Sequence, residues 1–281
     1  MSSTRSRMMY LIVNGDDLGM HAAVNAGIVK AAATGILRSA SLVVNGAAFA
    51  DACRHSRACA DLDVGLHVAL THGRPVLPAG EVASLVDRNG HFWSKWPFLL
   101  RGCAGLLRQQ DIAAEVQAQF ERARESGVAL SHVDSHHQVH LLPVVGQVVC
   151  RLAERHGLIG PRPFTRVERP QNPKARIMLA LWRRMGRRLP LPGVPRPELC
   201  FGGADLFLAQ NKLGGLLSYI QRLSPGYHEL MCHPAQSSPD FDAALRYRQA
   251  ECDALCDAKV RNEIEQRQIQ LISFRDLPQT G

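Results

Sequence analysis

The sequence predicts an α/β fold, specifically a distorted TIM-like (β/α) barrel made by a single domain with a basic insertion. Short apolar runs typical of buried strands alternate with stretches of helical periodicity along most of the chain. Of the 281 residues, 46% are hydrophobic and 21% are charged, and α/β barrels of about this length commonly form one unit. We therefore expect residues 1–281 to form one domain.

The first strand is predicted at 10–14, a compact apolar run that ends at a glycine and two aspartates. The first helix is predicted at 22–34, with Gly35 in the position that commonly ends a helix. The same alternation continues on both sides of an irregular stretch rich in Gly, Pro and Trp. Further strands are predicted at 39–45, 63–70, 129–134, 228–232 and 269–274, and further helices at 47–60, 111–126, 144–156, 213–223 and 246–266.

Positive charge is concentrated in one segment, although the whole chain carries +8. Residues 161–197 contain ten Arg or Lys residues and a single Glu, which leaves the rest of the chain about neutral. Its Pro-rich and Arg-rich part, 168–197, is predicted to be an insertion on the scaffold. The arginines singled out for contact with an anionic substrate group or an anionic membrane surface are Arg183, Arg184, Arg187 and Arg188.

Another interpretation of this segment is an amphipathic helix packed on the barrel or at a dimer contact, with its arginines in solvent. No nucleic-acid partner is expected, because no recognition motif accompanies the charge. We predict neither a signal peptide nor a membrane span, and eight scattered cysteines without a C-x-x-C pair indicate reduced thiols. A cytoplasmic protein is therefore expected, with peripheral membrane association as an alternative.

Two neighbouring carboxylates, Asp16 and Asp17, follow the first predicted strand in the motif Asn-Gly-Asp-Asp-Leu-Gly. On an extended segment they point in different directions, so one can bind a cation while the other faces a substrate or water. The alternative is structural, since aspartates also cap helices and shape turns. The motif alone favours the structural interpretation.

Four histidines lie within nine residues in His-Val-Asp-Ser-His-His-Gln-Val-His, residues 132–140. Neutral imidazole is the commonest metal ligand among side chains, and Asp134 could orient one ring by a hydrogen bond. A single histidine near a strand end more often satisfies backbone groups, but this density favours a site. His67 and His233 each lie at strand positions where, taken alone, a buried structural histidine is the more common outcome.

All these residues fall at or near predicted strand ends, and in a β/α barrel the carboxyl ends of the strands gather on the face that carries the active site. The motifs beginning at Ile12, Ser41, Gly65, His132 and Met231 resemble those of the YdjC-like carbohydrate deacetylases, which include chitooligosaccharide deacetylases. The resemblance runs in the same order from about Tyr10 to Asp276. It implies a distorted β/α barrel that is often dimeric and holds one divalent metal ion.

Carried over by position, the resemblance implies Asp17, His67 and His136 as metal ligands, Asp16 as catalytic base and His233 as general acid. Residues expected around them, in the second shell or at the substrate, are Asn14, Asp134, His137 and His140. The chain departs from the family pattern at Gln138, where a third consecutive histidine is usual, which changes a local partner but not the expected ligand set.

The expected reaction is hydrolytic removal of an N-acetyl group from an amino sugar, within an oligosaccharide, a sugar phosphate or a glycolipid. Two imidazoles suit zinc, nickel or cobalt, whereas one carboxylate with several waters is also acceptable to magnesium. One alternative is a non-catalytic carbohydrate-binding or lipid-headgroup-binding protein that uses the metal as an anchor. Another is a metal hydrolase of a different bond, such as a phosphoester, which a two-metal site would favour.

Overall fold

One sheet of parallel strands forms the centre of the computed structural model, which describes residues 8–161, 171–186, 199–203, 206, 208–239 and 247–278. The strand order within the described residues is β4-β3-β2-β1-β6-β5, and β7 also pairs with β1. The sheet is thus a parallel half-barrel with β4 and β5 at its two ends, which confirms the expected α/β class and the distortion of the barrel. The strands are β1 (Met9–Leu18), β2 (Ser39–Leu42), β3 (Asp63–Val68), β4 (Leu130–Ser135), β5 (Leu199–Gly202), β6 (Gly226–Cys232) and β7 (Gln270–Ile272).

Helices follow most strands, as the alternating pattern predicts. They are α1 (Ala22–Thr34), α2 (Phe49–Ala58), α3 (Lys95–Cys103), α4 (Gln109–Glu125), α5 (Pro143–His156), α6 (Pro173–Gly186), α7 (Lys212–Gln221), α8 (Tyr247–Cys256) and α9 (Ala258–Gln266). Among the residues that the structure describes, short 3₁₀ segments cover His136–Leu141 and Phe274–Asp276. The expectation of one helix over 246–266 was wrong, because Asp257 accepts a hydrogen bond from the Lys259 amide and begins a second helix there.

The central strand β1 is longer than predicted and is buried from Leu11 to Leu18. Its side chains alternate between two apolar layers: Leu11 and Val13 belong to the large core shared with the helices, whereas Ile12 packs with Phe274. Pairing with β2, β6 and β7 fixes β1 on both sides. The two aspartates therefore lie within the end of a strand held by three neighbours.

The position of the segment after β6 depends on a close contact with α1. A Cβ atom added at Gly27 would lie 2.4 Å from the Ala235 Cα atom, closer than two carbons can pack. Only a glycine in α1 therefore allows the His233-Pro234-Ala235 segment to approach the core at this distance.

Within the predicted insertion 168–197, the structure describes residues 171–186, most of which form α6. This helix contacts the 3₁₀ segment His136–Leu141, and the side chains of Arg183 and Arg184 are exposed. Arg187 and Arg188 lie outside the described residues, so their predicted contact with an anion stays a prediction. No helix among the described residues combines the length and the apolar character needed to cross a membrane.

Candidate metal centre

Ionisable side chains from four segments meet at the carboxyl end of the sheet. Asp16 and Asp17 lie at the end of β1, His67 lies in β3 and His136 directly follows β4. His233 follows β6 on the other side of β1. Parallel strands bring their carboxyl ends to the same edge, so residues separated by more than 200 positions share one site.

Asp17, His67 and His136 form a compact buried group of ligand-type atoms. The Asp17 Oδ1 atom lies 2.8 Å from His136 Nδ1 and 3.4 Å from His67 Nε2. One ligand atom from each residue lies within 4.8 Å of the others, and all three residues are buried. Two imidazoles and one carboxylate converging at this spacing fit a divalent cation, with coordination positions left for substrate or water.

The ring of His67 is oriented by Asp134. The His67 Nδ1 and Asp134 Oδ1 atoms are 2.5 Å apart, so the other ring nitrogen, Nε2, faces Asp17. Burial alone would lower the pKa of His67, but the charge and hydrogen bond of Asp134, together with the effects of Asp17 and Asp16, outweigh burial and raise this pKa to about 10. A carboxylate behind a ligand imidazole is the common way in which proteins fix the ring's tautomer and direction.

A hydrogen-bond chain continues from Asp134 to the other aspartate of the β1 pair. The Ser41 hydroxyl donates to Asp134 Oδ2 at 2.8 Å and accepts from the Asn14 amide at 2.8 Å. The same Asn14 amide donates to Asp16 Oδ1 at 2.9 Å. Asn14 thus links Asp134, through Ser41, to Asp16, and the roles of Asn14 and Asp134 in orienting the ligand group stay a prediction.

The carboxylate of Asp17 is held by an unusual backbone and by a buried ion pair. Its φ angle is +74°, a conformation that non-glycine residues rarely adopt and that functional sites commonly retain. Its Oδ2 atom accepts a hydrogen bond from Arg248 Nη2 at 2.6 Å. Burial alone would raise the pKa of Asp17, but the charges of His136 and Arg248 hold it well below the usual range. Asp17 is therefore an anion with Oδ1 facing the two histidines.

Asp16 and His233 form a second pair beside this group, with His233 Nε2 4.0 Å from Asp16 Oδ2. The backbone N–H of His233 donates to Glu251 Oε2 at 2.7 Å, which holds the segment after β6 against α8. Burial first, and then the charge of Arg248, lowers the pKa of the His233 imidazole. A protonated His233 ring is consequently a stronger acid than a histidine in water.

The four histidines of residues 132–140 have different surroundings. The chain turns sharply after His136, with positive φ angles of 58° at both His137 and Gln138, and His136 belongs to the ligand group. The His137 ring lies 3.9 Å from that of His136 and its Nδ1 is 3.0 Å from the Thr71 hydroxyl. His140 instead pairs through Nδ1 with Ser135 at 2.7 Å, and His132 stacks on Phe274.

The residues that hold this centre from α8 were not predicted from the sequence. Arg248 and Glu251 lie on a helix that was predicted only as long and charged, and neither belongs to a recognisable motif. His72 was also missed, although its ring meets the edge of His136 at 5.9 Å. Ser41 lies in one of the motifs quoted for the family resemblance, so that motif was the one available signal.

Arg248→Met is expected to lower the free energy of unfolding by about 3 to 5 kcal/mol, because it leaves the buried Asp17 carboxylate without its guanidinium partner. Urea titration with a chelator present, so that no cation compensates for the lost charge, measures the effect. Arg54→Met is the matched control, since the Arg54 side chain is 67% exposed in its pair with Asp51 and such pairs contribute about 1 kcal/mol or less. Equal free energies of unfolding for wild type and Arg248→Met would show that the Arg248–Asp17 ion pair contributes little to stability.

Similarity of this sequence to known proteins identifies its family. The family model described as "YdjC-like protein" matches residues 10–266. The chain belongs to the YdjC-like family. This YdjC-like chain is 35% identical over 271 residues to a carbohydrate deacetylase of Geobacillus stearothermophilus, covering 95% of this chain and 97% of that protein. It is 32% identical to a chitooligosaccharide deacetylase of Serratia marcescens, with coverage of 95% and 98%.

The fold of this YdjC-like chain is also found in a crystal structure. A protein of Enterococcus faecalis named for cellobiose-phosphate cleavage superposes with a TM-score of 0.72 at 26% sequence identity, covering 95% of this chain and 98% of that one. Near-complete coverage of both chains indicates that the half-barrel and its helices are shared as a whole.

Proposed function

We propose that this chain is a metal-dependent carbohydrate deacetylase that removes an N-acetyl group from an amino sugar. The observation that carries the proposal is the ligand group of Asp17, His67 and His136 beside a separate carboxylate, Asp16, and a separate imidazole, His233. A protein that only binds sugar needs an anchor but has no use for an acid and a base as well. Relatives named carbohydrate deacetylase and chitooligosaccharide deacetylase align over 95% of the chain, which supports the same activity here.

The proposed ligands are Asp17 Oδ1, His67 Nε2 and His136 Nδ1, the atoms that face one another. When bound there, a divalent ion activates water and stabilises the negative charge that develops on the acetyl oxygen. The donor set accepts zinc, nickel or cobalt, and magnesium is an alternative. A second group of ligand-type atoms, from Asp16, His67 and Asp134, uses the same histidine, so the centre is proposed to hold one ion.

The two remaining residues divide the proton transfers of amide hydrolysis. Asp16 receives the proton from the attacking water as the new C–O bond forms. The C–N bond then breaks, and His233 gives a proton to the departing amine nitrogen. The lowered pKa of His233 makes its protonated ring a stronger acid, and the 4.0 Å between the His233 and Asp16 side chains supports the proposal that the two act on one reacting group.

The substrate is proposed to be an acetylated amino sugar, and the chain is proposed to act in the cytoplasm as a homodimer. An anionic form, such as a sugar phosphate or a lipid-linked sugar, is supported by the exposed Arg183 and Arg184 of α6 and by the contact of α6 with the His136–Leu141 segment. The resemblance to the Enterococcus faecalis protein is compatible with a phosphorylated sugar.

The proposed function is tested by acetate release from a panel of sugars with the purified chain. The panel contains N-acetylglucosamine, its oligomers, its phosphate and a lipid-linked form, each assayed after chelation and after return of magnesium, zinc, nickel or cobalt. We expect acetate from at least one sugar, loss of activity on chelation and recovery with one ion per chain. Sugar binding without acetate release would indicate a binding protein, and two ions per chain with phosphate release would indicate a phosphoesterase.

A further inference from the structure

A buried ion pair beside the candidate metal centre has no role in the chemistry described above. Glu251 of α8 is fully buried, and Lys212 at the start of α7 is buried as well. The Lys212 Nζ atom lies 3.5 Å from Glu251 Oε1 and donates a hydrogen bond to the Leu206 carbonyl at 2.9 Å. Removing two charges from water costs free energy that their attraction often fails to offset, so stability alone does not explain why this pair is present.

The second oxygen of Glu251 reaches the residue proposed as the general acid. Glu251 Oε2 accepts a hydrogen bond from the His233 backbone N–H at 2.7 Å. A hydrogen bond to an ionised carboxylate is about twice as strong as one between neutral groups. Glu251 therefore joins the Lys212 cation through one oxygen and the backbone of His233 through the other.

The segment 233–237 is held at every backbone N–H group that it has, since Pro234 has none. Besides the bond to Glu251, its N–H groups donate to acceptors on α8 and α1. These bonds join Ala235 to the Arg248 carbonyl at 3.1 Å, Gln236 to the Ala23 carbonyl at 2.8 Å and Ser237 to Gln249 Oε1 at 2.6 Å. Glu251 differs from these acceptors because it holds the residue that carries the imidazole itself.

The place of the His233 ring depends on this backbone. The ring is attached through Cβ to the Cα atom next to the bonded N–H group, so a shift of the backbone also shifts the ring. An acid must lie within hydrogen-bond reach of the atom that it protonates. A misplacement of about 1 Å can cost about 100-fold in rate. Loss of the bond to Glu251 would therefore reach the chemistry through His233.

We propose that Glu251 is a positioning residue for His233, with Lys212 as the cation that balances its carboxylate. The inference rests on the proposed function, because it needs His233 as the acid that protonates the departing amine. Glu251 acts through the backbone of His233 alone. It should therefore affect cleavage of the C–N bond and leave the attack of water on the acetyl carbon unchanged.

Two double variants isolate the hydrogen bond to His233. Lys212→Met/Glu251→Gln removes both charges and keeps an oxygen that can accept from the His233 N–H. Lys212→Met/Glu251→Met removes the same charges and replaces that oxygen by a thioether of similar shape, which accepts only weakly. Removing both members of the pair avoids the unpaired buried charge that a single neutral substitution would leave. The two variants therefore differ in the acceptor alone.

The kinetic test compares an amide with an activated ester. The departing amine of an N-acetyl amino sugar needs a proton, whereas p-nitrophenyl acetate does not need one, because p-nitrophenolate leaves as an anion. Lys212→Met/Glu251→Met should lower kcat for the sugar by about tenfold or more and kcat for the ester by less than about twofold. Lys212→Met/Glu251→Gln should keep most of both activities.

A merely structural role of Glu251 would lower kcat for both substrates together. Equal losses on sugar and ester in Lys212→Met/Glu251→Met would therefore overturn the proposal, as would no loss at all. Equal losses of sugar turnover in the two double variants would also overturn it, because the acceptor would then be irrelevant. If the variant without an acceptor does not fold, Glu251→Asp replaces it, since Asp keeps the charge beside Lys212 but is one methylene shorter.

Amide hydrogen exchange separates failure of this inference from failure of the proposed function. If wild type releases acetate from no sugar, the deacetylase proposal fails, and exchange at the His233 N–H still tests what Glu251 holds. The exchange rate should rise by about tenfold or more in Lys212→Met/Glu251→Met and stay near wild type in Lys212→Met/Glu251→Gln. Exchange in β1 should be the same in both. Unchanged exchange at His233 in Lys212→Met/Glu251→Met would show that Glu251 does not position it.

Discussion

Asp16→Asn is expected to lower kcat for acetate release by about 10²- to 10⁴-fold while the chain still binds its divalent ion. An amide has nearly the shape of a carboxylate but cannot accept a proton from water at neutral pH. The group formed by Asp17, His67 and His136 does not include this residue, so the ligand atoms stay in place. Turnover under saturating substrate and metal content per chain are the two measurements.

The local hydrogen bonds should survive this substitution. The Asn14 amide donates to Asp16 Oδ1 at 2.9 Å, and an asparagine can present its carbonyl oxygen at the same place. Asp61→Asn, the same change at an exposed position, is the control and should leave both turnover and metal content unchanged. Near-normal turnover of Asp16→Asn would remove Asp16 from the role of base, and loss of the ion would place it among the ligands instead.

The fold class follows from sequence because it depends on a repeated local pattern. Several strands begin as short apolar runs, and β1 shows why this is informative: its central position requires burial from Leu11 to Leu18. The parallel arrangement then requires the ends of the strands to meet at one edge. The convergence of Asp17, His67 and His136 can thus be expected before any coordinates are known.

The orientations within the centre cannot be expected in the same way. Asp17 faces the histidines through a backbone with a φ angle of +74°. The turn that follows His136 also has positive φ angles, at His137 and Gln138. Spacing along the chain does not predict such conformations in residues other than glycine, because tertiary contacts have to hold them. For the same reason spacing alone could not say which of the four histidines at 132–140 would face Asp17, and only the family resemblance singled out His136.

Contacts between distant parts of the chain were the least predictable. Arg248 lies 231 positions from Asp17 and meets it only because α8 packs at the end of β1 and β6. The helix α3 was also missed, since Trp96 and Pro97 weaken its helical pattern although proline is tolerated in a first turn. The ion pair that holds the Asp17 carboxylate was therefore found only in the structure.

His136→Ala is expected to weaken divalent metal binding by more than about 100-fold and to abolish turnover at stoichiometric metal. Changing a residue behind a ligand commonly costs about 10- to 100-fold in metal affinity, so removal of a ligand itself should cost more. Asp134→Asn provides this graded comparison, because Asp134 holds the His67 ring at 2.5 Å without belonging to the proposed ligand set. Competition with a chelating dye measures the metal affinity, which should fall in the order wild type, Asp134→Asn, His136→Ala.

His55→Ala is the control for loss of a histidine, since His55 lies on α2 in an exposed pair with Asp51 at 3.5 Å. It should bind metal as wild type does, and circular dichroism of all the variants checks that they remain folded. Asp16→Asn and His136→Ala then separate two functions of one centre, because the first should keep the ion and lose turnover while the second loses both. If the His136→Ala chain is folded and keeps wild-type metal affinity, the proposed ligand set is wrong. The ion would then be assigned to the second group, formed by Asp16, His67 and Asp134.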